Sequence, residues 1–439
     1  MIINDKRSNH IRNLDSKVTP IGWSTPLASI IPADFVLPDP YVSSHVTIED
    51  ALSHRTGMPD HEYSFGPSTR TVRDTVRSLR GLPLSAEIRT KFMYNSIMFS
   101  AVSHAIEIIE GISLHEVLKE RIWKPLDMKQ TFWTPIEAAA SSESGQLQLA
   151  SGYAWNHERN EYVLEPRPNF PGVSGAGAMV SNVLDYAKWL RCMMTRSKPL
   201  SLADHEAVTY PRTIYSSHGT NIFPPPHLYA LGWIIDHYRG EKIIWHSGSW
   251  TGFGSVMAFL PERQWGFTMM GNTTGTSNLV QVALYSRLLD DLLEVPPQER
   301  IDWSSRLLAL RRQRREEHAS SLERLYPHLP DPLHPMTLPL EQYAGKYSHP
   351  SYDDLVLKVR GRSLVADRQQ QEIAMNIIFR HVSGEYWLAT LHVRNQDIRD
   401  CNVIRAEFKI SVDGKAARVG LELEPEMNGE KIWFERTLV

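Results

Sequence analysis

Two short stretches carry residue types able to move a proton near an acyl group. Tyr94-Asn95-Ser96 stands directly ahead of an apolar periodic run, and His246-Ser247-Gly248-Ser249 ends a short apolar stretch. A tyrosine hydroxyl or an imidazole can take a proton from a nucleophile and return it to a leaving group. Taken singly, each also has an ordinary structural reading. Tyr94 reads as a packed aromatic with its hydroxyl at the surface, and His246 as a strand histidine with both nitrogens satisfied. Ser53-His54 looks like a catalytic pair, but adjacent side chains rarely aim at one atom, so the pair reads as a turn stabiliser. Other chemistries lack their residues: Gly-x-Ser-x-Gly, a Walker loop and His-Glu-x-x-His are all absent, and no close pair stands out among the 18 histidines. No metal and no cofactor is expected.

Together the two stretches gain meaning from their neighbours. With Val46-Thr-Ile-Glu-Asp-Ala-Leu-Ser-His-Arg-Thr-Gly-Met-Pro59, Arg121-Ile-Trp-Lys-Pro-Leu-Asp-Met128, Gly175-Ala-Gly-Ala-Met-Val-Ser-Asn182 and Trp250-Thr-Gly-Phe-Gly254, they resemble the serine β-lactamase and penicillin-binding-protein superfamily. The likeness is to its class C, D-aminopeptidase and esterase members, and it runs from about Trp23 to Leu289. That superfamily sets three motifs around one cleft: Ser-x-x-Lys, Tyr-x-Asn and Lys/His-x-Gly. The resemblance implies that Tyr94 is the base and proton shuttle, its pKa lowered by adjacent cations, and that His246 holds substrate and tunes the tyrosine. It implies further that the Ser249 N–H is half of an oxyanion hole, and that Gly248 lets substrate lie against the strand. Ser96 stands where the family has asparagine, with Asn95 one place early, so both are substrate-binding candidates.

The nucleophile is unknown. No serine in the chain has a lysine three places later, the spacing that puts both on one helix face. Ser16-Lys17 is the nearest pair and its spacing is wrong. Only 22 residues precede Trp23, too few for the family's motif helix and first strands, so a truncated N-terminus is expected, with a mispredicted first exon as the equal alternative. Loss of that helix leaves apolar surface for solvent or a partner.

Regular elements must position these residues. Thr47 caps a short helix that stops at Thr56-Gly57; residues 97–122 hold two helices divided at Gly111; Ser181-Asn182 opens an amphipathic helix. Lys242–Trp245, Ser255–Leu260 and Gly266–Met270 read as adjoining antiparallel strands. Residues 1 to about 40, with five prolines between Pro20 and Pro40, leave little room for regular structure. The expected fold is an α/β (α+β) β-lactamase-like domain over 1–295, its antiparallel sheet flanked by helices. A charged helical linker over 296–337 and an all-β, lipocalin-like barrel over 338–439 complete the chain.

With 439 residues, 42% hydrophobic, a sizeable core is available. A net charge of -3 provides no field for nucleic acid, and no apolar run reaches the length of a membrane helix. Two distant cysteines and a mixed-charge N-terminus suggest a cytoplasmic protein. The function expected is a serine hydrolase or acyltransferase acting on a small ester, amide or thioester, in the manner of fungal members that modify secondary metabolites. The alternative is a non-catalytic remnant that binds a ligand or partner chain. Oligomeric state is not legible.

Overall fold

The run Ile243-Ile244-Trp245 is apolar at every position because both of its faces are covered, which is how a central strand differs from one with a wet side. In the computed structural model it lies in β4 (Glu241–Trp250) of a six-stranded antiparallel sheet. The strands follow chain order: β1 (Thr213–Tyr215), β2 (His227–Tyr229), β3 (Ile234–Tyr238), β4, β5 (Phe253–Leu260) and β6 (Trp265–Gly271). The structure describes residues 1, 3, 10–12, 18–143, 145, 147–157, 159–215 and 222–437. Ser16 and Lys17 lie outside them.

The chain divides into two compact units, and the division is not linear in sequence. The first comprises Met1–Met58, Thr71–Ala154 and Leu164–Leu307; the second comprises Pro59–Arg70, Trp155–Val163 and Leu308–Val439. In the first unit, helix α1 (Ile48–Leu52) starts at a capping box in which Thr47 and Asp50 bond reciprocally. Helix α2 (Ser96–Glu110) is capped by Asn95 and ends at Gly111, whose φ of 70° lies in the left-handed region that favours glycine. Helix α3 (Val183–Thr195) is capped by Asn182, and α4 (Thr276–Leu292) follows β6.

Alternation along the strands decides which helix each side chain meets. Ile243, Trp245, Val256, Ala258 and Leu260 pack with Tyr285 and Leu289 of α4. Ile244 and Phe259 pack with Leu190 and Met193 of α3, on the other face. On α4, Val280, Leu284 and Leu288 recur every fourth residue as an exposed apolar stripe. The N-terminal stretch expected to be irregular holds a four-residue helix, Leu27–Ile30, and two short paired strands, His10–Arg12 and Val18–Pro20.

The second unit contains a closed eight-stranded barrel: β7 (Gly345–His349), β8 (Asp353–Arg360), β9 (Ser363–Arg368), β10 (Met375–Ser383), β11 (Tyr386–Val393), β12 (Asn402–Ile410), β13 (Ala416–Leu421) and β14 (Ile432–Arg436). Neighbours in sequence pair, and β7 pairs β14 to close the ring. Tyr347, Phe379, Trp387, Phe408 and Phe434 are fully buried, so side chains fill the interior, as in other barrels of this strand number. Trp303–Ala319 and Ser321–Leu325 are helical. Among the described residues, no single helix is long and apolar enough to cross a membrane.

Candidate active site

The site grows from a turn that the sequence ties down electrostatically. Asp50 of α1, fully buried, accepts hydrogen bonds from Thr47, from Arg55 Nε at 2.7 Å and from Arg89 Nη2 at 2.8 Å. Burial alone raises a carboxyl pKa, yet bonds from Arg89, Thr47 and Arg55 hold this one below the usual carboxylate range. The anchored turn leaves α1 through His54, whose φ of 55° is left-handed. It continues to Gly57, at φ 81°, where an added β-carbon would sit 2.1 Å from the Ala86 carbonyl oxygen. Only glycine fits there.

His54 grips the loop ahead of α2 at two points. Its carbonyl accepts from the Met93 N–H at 2.7 Å, and its ring Nδ1 accepts from the Asn95 N–H at 3.1 Å. Tyr94, between them, is 39% exposed, and its ring centroid lies 4.3 Å from that of His54. The turn therefore presents Tyr94 outward while both flanking residues are buried. The far side of His54 continues the network: its Nε2 lies 3.2 Å from the Tyr229 hydroxyl, which lies 3.2 Å from His246 Nε2. The structure thus joins Tyr94 and His246 through two intervening side chains.

His246 begins the half of β4 that has lost a neighbour. Strand β3 pairs with β4 only as far as Trp245, so among the described strands His246–Trp250 pair with β5 alone. Ser247, Gly248 and Ser249 are exposed on this open edge. The Gly248 carbonyl accepts from Asn278 Nδ2 of α4 at 3.0 Å. Ser96 is the first residue of α2 and half-buried, whereas Asn95 is fully buried, its Oδ1 accepting from the Met98 N–H at 3.0 Å. The asparagine is spent on capping the helix.

Burial favours the uncharged form of both histidines. Burial, reinforced by the proximity of His246, pushes His54 down to about 3, and burial lowers His246 as well. Burial drives the Tyr229 hydroxyl well above its ordinary range. Neither ring therefore places a positive charge beside Tyr94 at neutral pH. Sequence reasoning took His54 for a turn stabiliser and passed over Tyr229; only the left-handed turn at Arg-Thr-Gly hinted that His54 was placed with care. Ser53 is spent locally, its hydroxyl donating to the Glu49 carbonyl. Among the described residues, the one group of side chains close enough to share a metal ion is His157, Asp397 and Asp400 of the second unit. Its carboxylates are already held by Arg311 and Arg315.

This sheet, with its helices on both faces and a tyrosine loop beside an open strand edge, is the arrangement of serine β-lactamases and penicillin-binding proteins. The chain matches the beta-lactamase family over residues 13–291, and it belongs to that family. Residues 330–436 match a domain of unknown function, DUF3471. The chain is 37% identical to Unguisins hydrolase ungD' of Aspergillus campestris over 96% of its own length and 79% of that protein's. It is 38% identical to Unguisins hydrolase ungD of Aspergillus violaceofuscus, over 95% and 76% of the two chains. In fold, it is similar to the octameric penicillin-binding protein homologue from Pyrococcus abyssi. That likeness has a TM-score of 0.54 at 20% identity and covers 94% of this chain and 83% of the other.

Proposed function

We propose that the cleft between Tyr94 and His246 is the acyl-transfer site of a β-lactamase-like hydrolase acting on an ester, amide or thioester. An unguisin, the substrate class in the relatives' name, is the first candidate, and fungal secondary metabolism the setting. The observation that carries this reading is the pairing of an exposed Tyr94 with the open edge at His246–Trp250, linked by the ring contact of Tyr94 with His54 and by hydrogen bonds from His54 through Tyr229 to His246. In the reaction, the hydroxyl of a serine whose position the sequence does not identify attacks the acyl carbon as Tyr94 takes its proton, and the Ser249 N–H stabilises the oxyanion. Tyr94 then returns the proton to the departing amine, alcohol or thiol, and water releases the acyl group by the reverse sequence. The open edge suits an extended acyl chain, which can pair with Ser247–Ser249 as an added strand. Ser96 is the remaining candidate for a polar contact to substrate.

In this reading residues 1–295 carry the chemistry, and a charged helical stretch at 296–337 leads to a lipocalin-like module at 338–439. The filled interior of the barrel favours a structural role for that module. Two buried free thiols, Cys192 and Cys401, accord with a cytoplasmic protein. A small acyl compound, not a nucleic acid, is the partner, since the net charge of -3 gives no basic field.

One observation favours a second reading: the 439 residues contain no Ser-x-x-Lys, so the cleft can instead bind a ligand or partner chain without turning it over. Fluorophosphonate labelling followed by mass mapping separates the two. The hydrolase reading expects one labelled serine and loss of at least tenfold of the label in Tyr94→Phe. A folded chain that takes no label, yet binds an unguisin, would leave the binding reading in place.

A further inference from the structure

Donor and acceptor bookkeeping around His54 and Tyr229 leaves a single consistent assignment of protons. His246 Nδ1 lies 2.8 Å from the Ser247 carbonyl oxygen, which can only accept, so Nδ1 carries the hydrogen. The neutral ring is then bare at Nε2 and accepts from the Tyr229 hydroxyl. At the other end, the backbone N–H of Asn95 can only donate, so His54 Nδ1 is bare and its Nε2 carries the hydrogen. That Nε2–H donates to the Tyr229 oxygen. Four donations run one way: Asn95 N–H to His54, His54 to Tyr229, Tyr229 to His246, His246 to the Ser247 carbonyl. The chain cannot reverse, because a backbone N–H cannot accept and a carbonyl cannot donate.

We propose that His54 and Tyr229 are positioning residues that tether the Tyr94 loop to the Gly248–Ser249 strand and lock the two histidines in opposite neutral tautomers. The tether starts one residue after Tyr94 and ends one residue before Gly248, so it fixes the distance between the proton-accepting side of the cleft and its oxyanion side. It also explains the neutrality of both rings. A proton added to His246 Nε2 would face the Tyr229 O–H, which has no second acceptor in the chain because His54 Nε2 is itself a donor. A proton added to His54 Nδ1 would face the Asn95 N–H. Tyr94 and Tyr215 are the other titratable groups beside the relay, and among the described residues no carboxylate or lysine hydrogen-bonds either ring. His246 therefore offers the cleft neither a positive charge nor a free Nε2 lone pair. Its part is to hold the strand.

The proposal rests on the reading of Tyr94 and His246 as the two walls of one cleft, but its test does not depend on turnover. The full chain, labelled with 15N-histidine, gives long-range nitrogen–proton correlations at pH 7. The expected spectrum shows His54 with a pyridine-like Nδ1 and a pyrrole-like Nε2, and His246 with the reverse. Tyr229→Phe keeps the ring and removes only the hydroxyl, so a packing role leaves the spectrum unchanged. The relay instead predicts that the His54 and His246 Nε2 signals both shift as their hydrogen bonds are lost, while the Nδ1–H tautomer of His246 stays held by the Ser247 carbonyl, and that the His246 titration moves up toward the ordinary histidine value of about 6.5. Tyr215→Phe, one ring away and outside the chain of donations, leaves both signals in place. Matching tautomers on the two rings, a cationic His246 at pH 7, or a Tyr229→Phe spectrum equal to that of the parent overturns the relay. Opposite tautomers with no fluorophosphonate label sink the hydrolase reading alone, and a label with matching tautomers sinks the relay alone.

Discussion

Each unit buries a histidine against a tyrosine, and the two pairs end differently. In the first, His54 and Tyr229 lead to His246, a neutral ring at the start of an exposed strand edge. In the second, His61 Nδ1 lies 2.6 Å from the Tyr352 hydroxyl, which donates at 2.8 Å to a carboxylate oxygen of Glu424. The other oxygen of Glu424 accepts the His61 backbone N–H at 3.1 Å. All three residues of that second network are at most 3% exposed. A buried carboxylate is tolerated only when its lone pairs are met, so the second network is a lock, and its carboxylate can accept but never pass a proton on while ionised. Among the described residues the first holds no carboxylate, and it ends at the exposed edge of β4. The same residue pair thus serves fixation in one place and alignment of an exposed strand edge in the other, and the terminal group makes the difference.

Acid should strain this contrast most. His54 has a folded pKa of about 3 against 6.5 unfolded, so below pH 6.5 the unfolded chain binds a proton that the folded chain refuses. Stability is complete above pH 6.5, and it falls by about 1.4 kcal/mol per pH unit toward pH 3. By pH 5 the loss attributable to His54 is on the order of 2 kcal/mol, and more accrues below. His54→Asn should flatten this slope in urea denaturation series at pH 7 and 5; an unchanged slope would show that His54 is protonated in the folded state. In the second unit His349, lowered to about 4 by burial and by nearby His61, has the same sign over a narrower window. His349→Gln should therefore flatten the curve only down to about pH 4.

At neutral pH the order of the two units reverses. Tyr352→Phe strips a donor from a buried carboxylate, and hydrogen bonds to charged groups are worth about 1.5–3 kcal/mol. Tyr229→Phe breaks bonds among neutral groups, for about 1 kcal/mol. Urea midpoints at pH 7, read with unchanged m-values, should rank Tyr352→Phe as the more destabilising. Equal losses would mean that Glu424 finds another donor, and the second network would no longer count as a lock.

How much of this was legible in the residues follows from the range of each interaction. Helix α2 was visible as the periodic run from residue 97 to the break at Gly111, and β4 through β6 as apolar runs broken by glycine and proline. Tyr94 and His246 stood out through motif resemblance. Tyr229 did not, because its meaning lies in a bond to His54, 175 residues away, and nothing in its own neighbourhood signals that bond. The assignment of Pro59–Arg70 to the barrel unit was equally hidden, since His61 meets Tyr352 across 291 residues of sequence. Periodicity reports what a segment buries, and it is silent on which distant partner completes a hydrogen bond. The charge state of His246 was hidden for a related reason: a histidine's charge depends on burial and donors that only the folded chain supplies.

The smallest effect sharpens the comparison at a single helix end. Asn95 was expected to meet substrate, but it is buried and caps α2 through the Met98 N–H, while its own N–H starts the relay. Its side chain and its backbone therefore do separable jobs. Asn95→Asp keeps an acceptor for the Met98 N–H and adds a negative charge favourable at a helix N-terminus, but the charge is buried, so the gain and the desolvation cost largely offset. Asn95→Ala removes the cap for about 1 kcal/mol yet leaves the N–H donation to His54 intact. The histidine tautomers should then be those of the parent while the urea midpoint falls. If Asn95→Ala also scrambled the tautomers, the loop and the helix cap would be one mechanical unit, and fixation and alignment would no longer be separable in this half of the molecule.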